Sequence, residues 1–256
     1  MKKLNLIFTA LTIFYCQTRL LAQSDTVKYN NHVLVSNQLK LGLTKYLVYS
    51  EDSATQTKSG ISIWERNVFF KKLKNRELII IHQNWLGLDS INSKREIISH
   101  MDAKSFLPIY HYTLSTASRG RRRTEAFVFE KDSIKAPDSS NINNKTFGIA
   151  IDQPVFNWEM DLETFAQLPL KTGKTFVIPF YHPGSKTLPA YYTYKVEGED
   201  KIPGLQYTLI NCWRLIYRDE RSTNYSIWWL NKKTHTVVKM KEYYNGKFRY
   251  KLLMNV

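Results

Sequence analysis

The sequence has 256 residues, 43% hydrophobic and 23% charged, with a formal net charge of +15. This balance is typical of a soluble globular protein and excludes a largely disordered chain and a bundle of membrane helices. Two cysteines are too few for a disulfide scaffold. Aromatic residues make up 14% of the chain. Because aromatic side chains are enriched in strands, this content favours a β-rich fold.

Residues 1–22 have the layout of a secretory signal peptide. Lys2 and Lys3 precede a mostly apolar run over residues 4–16. That run is too short to span a hydrocarbon core of about 30 Å, which needs about 20 residues. We expect cleavage near Ala22 and a periplasmic or secreted mature protein without a lipid anchor.

The mature chain, residues 23–256, is predicted to be a single β-rich domain. Two lysines and one arginine leave with the signal peptide, so the formal net charge falls from +15 to +12. Cys212 is then the only cysteine, and its apolar surroundings in the sequence predict a buried, inert thiol. The polar stretch 132–146 is a candidate loop or linker.

Alternation of apolar with polar residues dominates the mature chain and predicts strands. It is clearest over 205–217 and 247–253. Asn245-Gly246 lies between two such runs and supplies the two positive φ angles of a type I′ turn, which predicts a hairpin over 236–252. Its apolar set is expected to point inward. Further strands are predicted at 44–50, 60–66, 76–84, 94–101, 105–115, 124–131, 146–151, 174–181, 190–197 and 224–230.

Helical patterns are scarce. One short helix is predicted at 161–167, with Asp161 as its cap and Pro169 ending it. Many regularly spaced strands with few helices predict a mainly β fold. We expect a single curved antiparallel sheet, an open or half β-barrel, with one or two short helices.

The sequence contains no metal-binding, nucleotide-binding or nucleophile-elbow motif, so we predict no metal site, no cofactor and no catalytic residues. A Ser/His/Asp site assembled from distant residues stays open. Asp152, Glu159, Asp161 and Glu163 cluster around Trp158. This cluster is interpreted either as a glycosidase-like carboxylate pair with a sugar platform or as the charged start of a helix.

A basic run, Arg119-Gly120-Arg121-Arg122-Arg123, lies between two predicted strands. We therefore expect an exposed hairpin loop that attracts anionic head groups. Nucleic acid is not an expected partner, because the chain is predicted to be exported. The alternative interpretation is an ordinary solvated turn.

Several segments resemble an uncharacterised family of exported envelope proteins of Gram-negative bacteria, a domain of unknown function. They are CWRLIYR, the Trp-rich YSIWWLNKKTHTVVKMKEYY, GKFRYKLL, SHMDAKSFLPIYHY and the strand Val196-Glu197-Gly198-Glu199. The resemblance covers about 90–256. It implies a plan similar to the periplasmic lipoprotein carriers, which are curved half-barrels with an apolar concave face. It implies no established activity and no site residues.

The favoured function is a non-enzymatic envelope protein that binds an acyl chain, from a lipid or a lipoprotein, or another apolar ligand inside the curved sheet. One alternative is a structural or interaction protein with a filled core, and a weaker one is a carbohydrate-active hydrolase. Peripheral contact with the envelope and the oligomeric state stay open. The residues predicted to line the lumen are Tyr192, Tyr194, Tyr207, Trp213, Phe248 and Tyr250.

Overall fold

The computed structural model describes residues 24–28, 30–73, 75–88, 93–117 and 120–254. The predicted signal peptide and Arg119 lie outside these residues. Within the described ranges, no helix is both long enough and apolar enough to cross a membrane.

The described residues form one 16-stranded sheet and one α-helix. The helix, α1, spans Asp161–Ala166, and three 3-10 helices span Ser36–Gln38, Trp158–Met160 and Leu205–Tyr207. The strands are β1 (Ser24–Thr26), β2 (Gly42–Asp52), β3 (Lys58–Leu73), β4 (Arg76–Gly87), β5 (Lys94–Asp102), β6 (Pro108–Thr116), β7 (Arg122–Phe129), β8 (Ser133–Lys135), β9 (Gly148–Ala150), β10 (Phe156–Asn157), β11 (Thr175–Tyr181), β12 (Ala190–Pro203), β13 (Leu209–Arg218), β14 (Tyr225–Asn231), β15 (Val237–Tyr244) and β16 (Lys247–Leu253).

The sheet is curved but does not close. Its order is β1-β11-β12-β13-β14-β15-β16-β2-β3-β4-β5-β6-β7-β8-β9, and β10 also pairs with β11. All pairs are antiparallel except those of β1 and β10 with β11. The pairing of β16 with β2 joins the two halves of the chain. The predicted fold, a single curved antiparallel sheet forming an open barrel, is confirmed.

The concave face of the sheet packs around α1. Phe165 of the helix is fully buried and contacts the rings of Phe180, Tyr194 and Trp228 at centroid distances of 4.8–6.1 Å. Edge-to-face contacts of this kind add to the free energy gained by burial, which is about 1.5–3 kcal/mol for each large apolar side chain. This half of the interior is therefore filled by side chains.

The C-terminal hairpin has the predicted strands and turn, and Asn245 and Gly246 both have positive φ. The predicted inward position was wrong for the alternating apolar residues of β16. It was also wrong for Val238 of β15, which packs with Cys212 and Trp229 and not in the core around α1. Tyr250 stacks on Tyr49 on the convex face, at 5.0 Å between ring centroids, whereas Lys251 is buried against the helix. The inward position is stabilised because the Lys251 Nζ lies 3.0 Å from a carboxylate oxygen of Asp161. Phe248 lies on the same convex face as Tyr250.

The predicted strand 205–217 begins later than expected. Leu205–Tyr207 forms a 3-10 turn, and β13 starts at Leu209. Tyr207 has a φ of 60° and a fully exposed side chain. Its predicted inward position was wrong, because the tight turn ends the alternation before the strand begins.

The predicted helix is confirmed, but Asp161 is not its N-cap. The N-cap position of α1 is Met160, and no side chain caps it. A 3-10 turn precedes α1 directly, and the side chain of Asn157 accepts a hydrogen bond from the backbone N–H of Glu159 there. The polar stretch 132–146 contains β8 and a loop that follows the edge of β7. Asn144 ties this loop to the strand through both the N–H and the C=O of Ala126.

Cys212 is fully buried in β13, as predicted, and burial raises the pKa of its thiol to about 11. Only the thiolate attacks a thiol reagent. We therefore expect very slow labelling of Cys212 at pH 8 without denaturant, and rapid labelling in urea. The measurement is made on a Cys16→Ser variant so that only one thiol reports. Rapid labelling of the native protein would contradict the packing of β13.

Candidate functional site

A cleft opens at one end of the sheet, between strands β3 and β6. Its volume is about 430 Å³, which is within the usual range of small-molecule sites. The cleft is formed where β3 begins, β4 ends, β5 begins and β6 ends. Among its lining residues are Ser62, Trp64, Trp85, Lys94, Arg95 and Ser115.

Two stacked indoles form one wall of the cleft. Trp64 and Trp85 are directly opposite each other on β3 and β4, and their rings are parallel at 3.6 Å between centroids. Arg95, opposite Trp85 on β5, places its guanidinium 4.6 Å from the Trp85 ring centroid. Arg249 and Lys251 lie over Trp64 at 5.1 and 5.3 Å. Cations therefore cover both outer faces of the stack, and each is attracted to the ring that it covers by a cation–π interaction.

Arg95 links the cleft to the buried interior. One of its terminal nitrogens donates a hydrogen bond of 2.7 Å to the Oε1 of Glu159, whose side chain is only 4% exposed. The Arg95 side chain is 26% exposed. The other N–H groups of the guanidinium can therefore donate to an anion in the cleft.

The carboxylate of Glu159 is held in its charged form. Burial raises its pKa, but the attraction of His111 and Arg95 and the hydrogen bond from Arg95 outweigh burial, so the net pKa is below the usual value. The His111 Nε2 lies 3.6 Å from the Oε2 of Glu159, and the partly exposed His182 lies 4.0 Å from its Oε1.

The tautomer of His111 follows from its neighbours. The Asn157 Oδ1 accepts from the backbone N–H of Glu159, so its amide nitrogen faces the Nδ1 of His111 at 3.0 Å and donates to it. The proton of the neutral ring is therefore on Nε2, directed at Glu159. At 3.6 Å this contact is electrostatic and is too long for a hydrogen bond. The described residues contain no group of three or more His, Cys, Asp or Glu side chains that could hold a metal.

Ser99, His111 and Glu159 follow one another in space, which is the sequence of side chains in a Ser–His–Glu triad. The hydroxyl of Ser99 lies 2.8 Å from the Nδ1 of His111. Ser99 and His111 are both fully buried, and neither lines the cleft. The three side chains therefore act as a packed polar network that anchors Arg95.

Acid is expected to destabilise the protein through His111. Burial lowers the pKa of His111 to about 4, against about 6.5 in an unfolded chain. Protons then bind the unfolded chain more tightly, so stability is full above pH 6.5 and is lost as the pH falls towards 4. The expected loss is about 3 kcal/mol. Urea unfolding at pH 7.5 and 4.5 measures it, and a His111→Gln variant should lose less. Equal losses in both proteins would exclude His111 as the cause.

The acidic residues near Trp158 pair with separate cations of the sheet. Glu163 accepts from the Nε of Arg66 at 2.8 Å, and Asp161 pairs with Lys251. Glu159 pairs with Arg95, so each of the three acids between Trp158 and Ala166 has a different cationic partner. A glycosidase needs two carboxylates free to act on one bond, and this arrangement does not provide them. Asp152 is exposed in the loop before β10.

The basic run lies beside the cleft. Arg121 is in the exposed turn between β6 and β7, as predicted, whereas Arg122 and Arg123 are the first residues of β7. Arg122 pairs with Thr116 of β6, a cleft residue. Arg123 forms an exposed ion pair with Glu125. The role of these arginines in binding an anionic head group stays a prediction.

The six residues predicted to line a lumen do not come together. Tyr192, Tyr194 and Trp213 point to the concave side, where Tyr194 is fully buried among core rings. Tyr207 is in an exposed turn, and Phe248 and Tyr250 are on the convex face. Their ligand-binding role stays a prediction. Sequence reasoning missed Trp64, Trp85 and Arg95, although the tryptophans lie in or next to predicted strands, because cross-strand register is not readable from alternation.

The profile of a protein family described as "Protein of unknown function (DUF3108)" matches residues 45–253. The chain belongs to this family. The match includes both tryptophans and Arg95 of the cleft, and it extends beyond the 90–256 region that carried the resemblance. It confirms a domain of unknown function.

The fold of this DUF3108 chain is similar to a solved structure described as "Crystal Structure of Beta-barrel-like Protein of Domain of Unknown Function DUF1849 from Brucella abortus". The TM-score is 0.50 at 8% identity, with 84% of this chain and 98% of that chain covered. At this identity the likeness concerns the fold alone. A comparison with curated proteins finds no match.

Proposed function

We propose that this DUF3108 protein is exported to the periplasm or beyond and is a non-enzymatic binding protein for an amphiphilic anion. The observation that carries the proposal is the cleft of about 430 Å³ with tryptophan and arginine side chains in its wall. A carboxylate or phosphate that carries an acyl chain has an anionic group for the arginine and an apolar chain for the tryptophans.

In this proposal the anionic group of the ligand binds at the cationic side of the cleft. Lys94 and Arg95 line the cleft, and Arg122 lies at the end of the neighbouring strand pair. A guanidinium that is already ordered by Glu159 loses little conformational entropy when it binds an anion. Charge-assisted hydrogen bonds of this kind contribute about 1.5–3 kcal/mol each.

In this proposal the acyl chain of the ligand packs against the edges of the stacked indoles. Their faces are covered by cations, but Trp85 is only partly buried and lines the cleft together with Ile61 and Ala117. Each buried CH₂ contributes about 0.8 kcal/mol. A short acyl segment therefore suffices for measurable affinity, without an open lumen through the core.

Isothermal titration with dodecanoate, dodecyl phosphate, dodecanol and dodecyltrimethylammonium tests this proposal. The two anions are expected to bind saturably and more tightly than the alcohol or the cation. Arg95→Gln is expected to weaken anion binding about tenfold or more. Arg218→Gln is the matched control, because Arg218 is also paired with a glutamate, Glu197, but lies outside the cleft. Absence of saturable anion binding, or equal weakening by both variants, would overturn the proposal.

A structural or interaction protein of the envelope is the second candidate. It is favoured by the filled core around Phe165 and Tyr194. In the same titration this candidate predicts no saturable binding of any of the four compounds.

A further inference from the structure

The end of the sheet opposite the cleft has a distinctive surface. The strand register places the β3–β4 turn, the β12–β13 turn, the start of β2 and the end of β16 at this end. Most of the exposed large apolar side chains of the described residues lie here, and we call this surface the apolar rim. Its members are Leu41, Leu43, Phe69, Phe70, Leu73, Leu205, Tyr207, Leu209 and Met254.

The β3–β4 hairpin extends beyond its neighbours. β2 begins at Gly42 opposite Val68, and β5 ends at Asp102 opposite Leu78, so no described strand flanks the hairpin tip on either side. Phe69 and Phe70 are successive residues and therefore point to opposite faces of the strand. They are 38% and 47% exposed, so apolar surface is present on both faces of the tip.

The β12–β13 hairpin protrudes in the same way. β14 ends at Asn231, opposite Cys212, so Leu209 and Ile210 at the start of β13 are paired with no described strand on that side. Leu205 and Leu209 are each 60% exposed in this second tip. The nearest strands of the two hairpins, β13 and β3, lie five strand spacings apart, which is about 24 Å along the curved sheet. Leu41 and Met254 lie between them.

The rim is also basic. Its turns contain lysines and arginines, and segments 40–41, 69–73, 75–76, 103–107, 201–209 and 232–236 contain no Asp or Glu. Six exposed lysines there have no ion pair with a described residue: Lys40, Lys71, Lys72, Lys104, Lys201 and Lys233.

We propose that the apolar rim docks the protein peripherally onto an anionic phospholipid bilayer. A flat protein surface cannot contact both faces of a two-stranded tip, whereas a fluid lipid interface surrounds it. Apolar side chains inserted below lysines are the combination that binds interfaces with anionic lipids. About 11 residues of β3, or about 36 Å, separate the rim from Ser62 in the cleft, so the docked protein keeps its cleft open to solvent.

Co-sedimentation with vesicles of phosphatidylcholine alone, or of phosphatidylcholine with 30% phosphatidylglycerol, tests the proposal on the full chain. Binding is expected to anionic vesicles and to weaken in 0.5 M NaCl. Phe70→Ser/Leu73→Ser is expected to lower the partition coefficient about tenfold or more. Lys71→Ser/Lys72→Ser is expected to reduce binding mainly at low salt.

The matched control is Leu88→Ser/Leu188→Ser, which removes two leucines exposed to 59% and 62% away from the rim. It should bind as the unaltered chain does, and all proteins share the same N-terminal segment. An environment-sensitive dye on Leu73→Cys, in a Cys16→Ser background, should shift to the blue with vesicles, whereas the dye on Leu88→Cys in the same background should not. No binding of the unaltered chain, equal loss in the control, or a stable dimer that the rim variant dissolves would overturn the proposal. The cleft titration is independent of all three outcomes.

Discussion

Replacement of Arg66 by Met is expected to lower the free energy of unfolding by about 3–5 kcal/mol. Arg66 is 1% exposed on the concave side of β3. Its guanidinium donates to both carboxylate oxygens of Glu163, to the side-chain oxygen of Gln83 and to the backbone carbonyl of Glu159. Removal of the cation leaves the Glu163 carboxylate buried without its charge partner.

Urea unfolding measures this loss, and two further variants locate its cause. Arg66→Met/Glu163→Leu should recover part of the stability, because no unpaired charge then remains in the core. Arg218→Met breaks the exposed pair with Glu197 and should cost less than about 1 kcal/mol. An Arg66→Met variant as stable as Arg218→Met would show that the buried pair does not hold α1 on the sheet.

Deletion of residues 236–256 is expected to abolish folding. β15 and β16 lie in the middle of the sheet and connect β14 to β2, so their removal separates the two halves. It also removes the buried Val237 and Met240 and leaves Asp161 without Lys251. Each large apolar side chain contributes about 1.5–3 kcal/mol against a total stability of about 5–15 kcal/mol.

The expected product is insoluble or rapidly proteolysed protein, which solubility, circular dichroism and thermal melting assess. Deletion of Ser24–Thr26 is the control, because β1 lies at the edge of the described sheet and pairs with β11 alone among the described strands. That variant should remain folded. A soluble truncation at 236 that melts cooperatively would contradict the central position of the hairpin.

The sequence by itself determined where the long strands lie and how the C-terminal hairpin turns. Each long strand of the sheet was predicted, because alternation and the Asn245-Gly246 turn depend only on neighbouring residues. The short strands β1, β8 and β10 were not predicted. They have two or three residues each, which is too few for an alternation pattern, and β1 and β10 form through pairing with the distant strand β11.

The tertiary structure alone decided which face of each strand is concave and which residues meet there. Alternation separates Lys251 from Tyr250 but cannot say which points inward, and the hydrophobic rule predicts the wrong one. Lys251 and Arg66 are buried because α1 presents Asp161 and Glu163 to them, so each buried cation has an anionic partner. The cleft likewise depends on cross-strand register, which long-range packing fixes and local sequence does not contain.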